Sequence, residues 1–261
     1  MKIGFFDSGL GGLIMLKAVA KALPQYEYEF YGDTKNLPYG DKSEEEIFEL
    51  TKQGIIHLFD RDCALVIVAC NTASAETLRK LQDGFIGESY PDRRVLGVII
   101  PTVETVVEDG LKNTLLIATK RTVDSGKYER EFEKLSNRPT LHSIATPVLV
   151  PLIELGEREA ALAEAKTVIG TKVGEVDSVI LGCTHYCLLK EELRVTFEPQ
   201  NIKIISQDEI IPTKLALYLQ NHPEIEERLE RGEKRNIFLT DSSSRYDSVI
   251  AELLGGSFIG D

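Results

Sequence analysis

The sequence has no apolar run approaching the roughly 20 residues that cross a bilayer, no cluster of lysine or arginine, and only four cysteines in 261 residues. The first absence excludes a transmembrane segment. The second, with 30 basic against 42 acidic residues and a formal charge of −12, argues against nucleic acid or an anionic membrane as partner, since either normally calls for a basic patch. The third excludes a disulfide scaffold, because four thiols are too few to brace a chain this long. With no signal-peptide-like stretch at the N-terminus, a cytoplasmic protein with reduced, buried and inert thiols is the plain expectation. Hydrophobic residues at 43% and charged residues at 28% fit a globular chain long enough for one large domain or two smaller ones.

Short apolar runs read as strands buried on both faces: residues 2–6, 29–31, 64–69, 94–99, 114–119, 178–182, 202–205 and 236–240. Amphipathic segments separate most of them. Leu13, Leu16, Ala20 and Leu23 recur at helical spacing, and Ser43 with Glu46 forms a capping box before Ile47 and Leu50. Further helical patterns run through Val103 to Leu111, Tyr128 to Leu135 and Leu215 to Leu219. This alternation predicts an α/β protein with mostly parallel sheets flanked by helices. The chain also echoes itself: ALVIVACNT (64–72) and DSVILGCTH (177–185) each run from a buried strand through a small residue and a cysteine into side chains that open a helix. KIGFFDSG (2–9) and TLLIATKR (114–121) form a second such pair. Two related lobes are expected.

In open parallel sheets, ligands bind outside the carboxyl ends of the strands. The residues there are Asp7 and Ser8, Asp33, Cys70 with Asn71 and Thr72, and Cys183 with Thr184 and His185. If the lobes face each other, Cys70 and Cys183 flank one cleft. A cysteine before a helix start meets N–H dipoles that favour the thiolate, and two such groups could pass a proton from one face of a carbon to the other. Alternatively, either cysteine is a small residue ending a strand. Cys183, His185 and Cys187 resemble metal ligands only weakly, with no convincing fourth ligand, and no metal is expected. Cys63 and Cys187 read as packing thiols. The cluster DSGLGG (7–12) is not a Walker A loop, because no Gly-Lys-Ser/Thr follows. It reads as a tight turn whose N–H groups meet a carboxylate, with Ser8 as an added donor. NLPYG (36–40) reads as a loop stiffened by Pro38, with Gly40 permitting close approach.

FDSGLGG (6–12), YGDTKNLPYG (31–40), VACNTAS (68–74), VPLIE (150–154) and GCTHY (182–186) occur together and in this order. In them the sequence resembles the glutamate racemases of the aspartate/glutamate racemase family, cofactor-independent enzymes that supply D-glutamate for peptidoglycan. The resemblance implies that Cys70 and Cys183 are the acid/base thiols, acting on D- and L-glutamate respectively. Asp7 and His185 would assist them, and Asp33 and Glu154 match the family's other acidic positions. Substrate contacts would come from Asp7, Ser8, Pro38, Tyr39, Gly40, Asn71, Thr72, Thr184 and His185. The implied fold is two pseudo-symmetric α/β lobes, 1–95 plus 208–261 and 96–207, with the site between them, in a homodimer. Two positions depart from the family pattern: Thr146 stands where Cys is usual, and Cys187 where Pro is usual. A related substrate such as aspartate or a hydantoin, and a binding protein without catalysis, remain the alternatives.

Overall fold

The structure is a computed structural model that describes residues 1–241 together with Ser243, Ile250 and Leu254. Of the segment 208–261 expected in the first lobe, residues 242, 244–249, 251–253 and 255–261 lie outside the described residues. Among the described residues nine strands follow in chain order: β1 (Lys2–Asp7), β2 (Tyr28–Gly32), β3 (Cys63–Val68), β4 (Arg94–Gly97), β5 (Asn113–Ala118), β6 (Thr140–Ala145), β7 (Ser178–Gly182), β8 (Lys203–Ile205) and β9 (Arg235–Leu239). They build two sheets, ordered β4-β3-β1-β2-β9 and β6-β5-β7-β8, and every pairing between these strands is parallel. Read from its other edge, the second sheet runs β8-β7-β5-β6, which repeats the order β4-β3-β1-β2. The echo in the sequence is therefore a duplicated sheet, with β9 added to one copy.

Each sheet is buried on both faces, and the two-residue period of a strand assigns its side chains to them. In the first sheet Ile3, Phe5, Leu65 and Ile67 face one core, and Phe6, Val66 and Val68 face the other. In the second, Leu115, Ile117, Val179 and Leu181 oppose Leu116, Ala118 and Ile180. The capping box forms as expected: Glu46 N–H donates to Ser43 Oγ at 3.2 Å, and Ser43 N–H donates to the Glu46 carboxylate at 3.0 Å. It starts the helix Glu44–Asp60. Among the described residues no helix is long and apolar enough to cross a membrane.

Three elements differ from the sequence reading. The run 94–99 leaves the sheet at Gly97 and begins the helix Ile99–Glu108, whose early Pro101 needs no intrahelical N–H bond in the first turn. Strand β6 was missed because it is an edge strand of half-buried residues, including His142 and Ser143, with no continuous apolar run. The helix Arg158–Gly170 was missed because it buries only Ala161, Ala165 and Ile169, a stripe too narrow to stand out from its Glu and Lys.

The parallel register brings the strand ends level. Asp7 pairs with Gly32 and Phe6 with Val68, while Ala118 pairs with both Ala145 and Gly182. Asp33 N–H donates to the Asp7 carbonyl at 3.0 Å, and Thr146 N–H donates to the equivalent Ala118 carbonyl at 2.8 Å. In this strand order the chain leaves β1 and β3 in opposite directions, and likewise β5 and β7. Each lobe therefore has a switch-point crevice of the kind that holds ligands.

Candidate active site

The two crevices face each other across one cleft. Cys70 and Cys183 both line it, at the ends of the equivalent strands β3 and β7. Their neighbours Ser8, Tyr39, Asn71, Thr72, Thr184 and His185 are buried and form a polar floor. Pro38 and Gly40 lie at the rim, where the Leu37–Pro38 peptide is cis. The cleft encloses about 60 Å³, the room of a few waters, so an amino acid enters only if the lobes part. A larger groove of about 640 Å³ lies between the helices Ile99–Glu108 and Gln207–Asn221, lined by apolar residues and Lys and Glu side chains but by no thiol.

Asp7, Asp33 and Glu154 do not line the cleft. Each instead holds a residue that does. Asp7 is fully buried and accepts Gly9 N–H at 3.2 Å, Gly12 N–H at 3.1 Å and the Thr184 hydroxyl at 3.4 Å. The carboxylate met by the glycine turn is thus the protein's own. Gly11 lets the lobes touch here: a Cβ on it would stand 2.5 Å from Thr184 Oγ1. Asp33 accepts both contacts of Asn36 Nδ2 (2.9 and 3.1 Å), the Tyr39 hydroxyl at 2.7 Å and the Thr240 hydroxyl at 2.9 Å, and so fixes the 36–40 loop. Burial, and then the Asp33 charge, push the Tyr39 phenol far up, so it remains a donor. Glu154 lies 3.2 Å from His185 Nε2.

The two thiols have different surroundings. Cys70 Sγ lies 3.3 Å from Ser8 Oγ and accepts Ala73 N–H at 3.5 Å, a capping contact. The expected lowering of its pKa does not follow. Burial, reinforced by the Asp7 charge and more weakly by Cys183, outweighs those hydrogen bonds and pushes the Cys70 thiol up to about 12. Burial also raises Asp7, against the pull of His185 and its own hydrogen bonds. Cys183 Sγ lies 3.8 Å from His185 Nδ1. Burial alone would disfavour charge on His185, but Cys183 and Glu154 on its two nitrogens overcome that and hold its pKa well above the ordinary value.

Asn71 sits at the cleft with its side chain turned away. Its Nδ2 donates to Gln207 Oε1 at 2.7 Å, and its Oδ1 accepts from Gln207 Nε2 at 2.9 Å and Tyr128 OH at 2.8 Å. What it offers the cleft is backbone N–H at a helix start, which has no partner inside the helix. Thr72 bridges the lobes, its hydroxyl 3.0 Å from that of Thr119 and 3.3 Å from that of Thr122. Cys63 and Cys187 are buried away from the cleft, and burial pushes both thiols up to about 12. The Cys187 sulfur accepts Ser206 Oγ at 3.3 Å, while Thr146 bonds the Tyr186 hydroxyl at 2.8 Å. Both departures from the family pattern are therefore absorbed by local hydrogen bonds. Sequence reasoning missed Thr119 and Lys120, which also line the cleft. The echo of KIGFFDSG in TLLIATKR held the signal, since it marks the turn after the equivalent strand β5, where the register sets Thr119 and Lys120 in the places of Ser8 and Gly9.

The family model for Asp/Glu/hydantoin racemases matches residues 14–233. A glutamate racemase of Roseobacter denitrificans is 36% identical over 254 residues, covering 92% of this chain and 91% of its own. Among solved structures, glutamate racemase isoform RacE1 from Bacillus anthracis superposes with a TM-score of 0.86 at 29% identity, covering 100% of this chain and 96% of that one. The glutamate racemase of Francisella tularensis in complex with D-glutamate gives a TM-score of 0.83 at 28% identity, over 97% and 93% of the two chains.

Proposed function

The chain belongs to the Asp/Glu/hydantoin racemase family, and from that premise we propose that it interconverts L- and D-glutamate by moving the Cα proton between two cysteines. The observation that carries this is the pair of thiols on opposite lobes, at equivalent strand ends, in one buried polar cleft. A thiolate on one side takes the Cα proton and becomes a thiol. The electron pair left on carbon then takes the proton of the thiol opposite, which becomes the thiolate, and the centre is inverted. Exchange with solvent resets the pair. Because each turnover swaps the roles, the titration belongs to the pair. On this reading Cys70 deprotonates D-glutamate and Cys183 deprotonates L-glutamate.

The surroundings support a division of labour. His185, held cationic by Glu154, offsets negative charge at the Cys183 sulfur. Ser8 and the Ala73 N–H serve the Cys70 sulfur when it is charged, with Asp7 bracing the turn beneath it. The substrate's α-carboxylate gathers charge as the proton leaves. Donors fixed in advance at the strand ends, namely Thr72, Thr184 and the first N–H groups of the helix at Asn71, are suited to hold it. The small cleft volume supports a closed, water-poor site. No step calls for pyridoxal or a metal. The reading carries with it a cytoplasmic homodimer whose D-glutamate feeds peptidoglycan.

Incubation of either glutamate enantiomer in D2O, followed by NMR of the Cα position and by chiral analysis, tests the proposal. Deuterium uptake with interconversion is expected, falling about 10²- to 10⁴-fold in Cys70→Ala and in Cys183→Ala. Full activity in both variants refutes the two-thiol mechanism, and turnover of aspartate or a hydantoin in preference to glutamate moves the substrate assignment.

A further inference from the structure

Asn71 opens the helix that Cys70 caps, and its amide is held from behind by residues of three other helices. The chain crosses between the two sheets twice, from β4 to β5 through the helix Ile99–Glu108 and from β8 to β9 through the helix Gln207–Asn221. Thr102 on the first crossing and Gln207 on the second are fully buried. Tyr128, from the helix Lys127–Glu133 of the second lobe, meets them there and is equally buried. None of the three lines the cleft.

The hydrogen bonds leave each group one role. The amides of Asn71 and Gln207 meet head to head, Nδ2 donating to Oε1 at 2.7 Å and Nε2 donating to Oδ1 at 2.9 Å. Tyr128 OH donates to Asn71 Oδ1 at 2.8 Å, so its oxygen accepts Gln207 Nε2 at 3.1 Å. Thr102 gives its hydroxyl proton to the Val98 carbonyl at 2.7 Å, so its oxygen likewise accepts Gln207 Nε2, at 3.2 Å. The partners of residue 207 call for one acceptor and two donors on a single planar group, and glutamine supplies that set. A buried network satisfied in this way holds one arrangement. The Thr72 clasp on the cleft side of the same helix is of another kind, made of hydroxyl contacts to Thr122 and to the half-buried Thr119.

We propose that Gln207 is a positioning residue for Cys70: through Asn71 it ties the first turn of the Cys70 helix to both connections between the lobes, so that the sulfur keeps its place while the cleft opens and closes. This rests on reading the protein as a two-thiol glutamate racemase. Gln207 acts through the backbone. Asn71 follows Cys70 directly, and Ala73, whose N–H meets the Cys70 sulfur at 3.5 Å, lies in the same turn. Cys183 stands across the cleft at the end of β7, where its sulfur meets His185. Loss of Gln207 therefore displaces one thiol and spares the other.

Primary isotope effects read that asymmetry. The full-length protein is assayed in H2O with D- and with L-glutamate deuterated at Cα, each against the unlabelled enantiomer. In Gln207→Met, which keeps the length and removes the amide, kcat should fall about tenfold, as for a slightly misplaced catalytic group. Transfer at Cys70 then limits the rate. The isotope effect should rise for labelled D-glutamate, whose deuteron Cys70 takes, and fall towards unity for labelled L-glutamate, whose deuteron Cys183 takes. Tyr128→Phe removes one donor to Asn71 Oδ1 and leaves the amide pair. It should shift the two isotope effects in the same directions with about a threefold loss in kcat, the weight of one hydrogen bond, and it carries the test if Gln207→Met does not fold. Wild-type kcat with unchanged isotope effects overturns the proposal and leaves the racemase reading standing. So does an equal change for both enantiomers, the mark of general loosening, or a shift in the opposite sense. Wild-type protein that exchanges no Cα proton of glutamate overturns both.

Discussion

Replacing Gly11 with alanine probes the contact between the lobes at its tightest point. The residue has ordinary right-handed helical angles, φ −57° and ψ −33°, so alanine meets no backbone penalty there. The cost comes from across the cleft: the added Cβ would lie 2.5 Å from Thr184 Oγ1, 2.8 Å from Thr184 Cβ and 3.0 Å from His185 N. The first distance is about 1 Å short of an ordinary contact. Rotating Thr184 relieves one clash, but its Cβ and the His185 backbone cannot rotate away, so the second lobe must shift at Thr184-His185. Overpacking of this kind costs about 1–3 kcal/mol. Because the shift carries Cys183 and His185 with it, a misplacement near 1 Å predicts a loss of up to about 10²-fold in kcat/KM. Urea unfolding and the deuterium-exchange assay read the two effects. Gly11→Ala combined with Thr184→Ala should recover part of the stability, since the shortest of the three clashes goes while those with the residue 184 Cβ and the His185 backbone stay, but not the activity. A Gly11→Ala protein within about 0.5 kcal/mol and twofold of wild type would refute the reasoning.

Two further perturbations address the residues behind the cleft. The His185 pKa is raised in the folded state, so the group adds stability below its ordinary value of 6.5 that is lost as pH rises through the folded value. Glu154→Gln removes one of the two partners that raise it; thermal melts should show the variant less stable than wild type near pH 6, the gap closing at high pH, and the alkaline limb of activity should move to lower pH. Asp33→Ala strips the acceptor from Asn36, Tyr39 and Thr240, and at about 1–3 kcal/mol per buried group left unpaired should cost more stability than Asp33→Asn, which keeps one oxygen; equal melting temperatures for the two would contradict the hub role.

The duplicated sheet carries unlike chemistry at like positions. Asp7-Ser8 corresponds to Ala118-Thr119, Asp33 corresponds to Thr146, and Cys70 is backed by a serine and an N–H while Cys183 is backed by an imidazole. A racemase has a reason for such near-symmetry. On the proposed two-thiol mechanism its half-reactions act on mirror-image substrates, which asks for thiols comparable in reach, yet glutamate itself has no mirror plane, and its carboxylates would need different donors on the two sides.

The sequence by itself determined what depends on neighbours along the chain. Continuous apolar runs such as 64–69 and 178–182 became strands buried on both faces, Ser43 and Glu46 capped a helix, and the echoed cysteines came to equivalent strand ends because the repeat is local. Tertiary structure alone decided what those groups meet. It turned the Asn71 amide onto Gln207, 136 residues away, gave the N–H groups of the DSGLGG turn to Asp7, placed Lys120 on the rim, and raised the Cys70 thiol where a helix start alone would lower it. The physical reason is that desolvation and charge sum over everything nearby in space, whereas strand periodicity and helix capping are settled within a few residues.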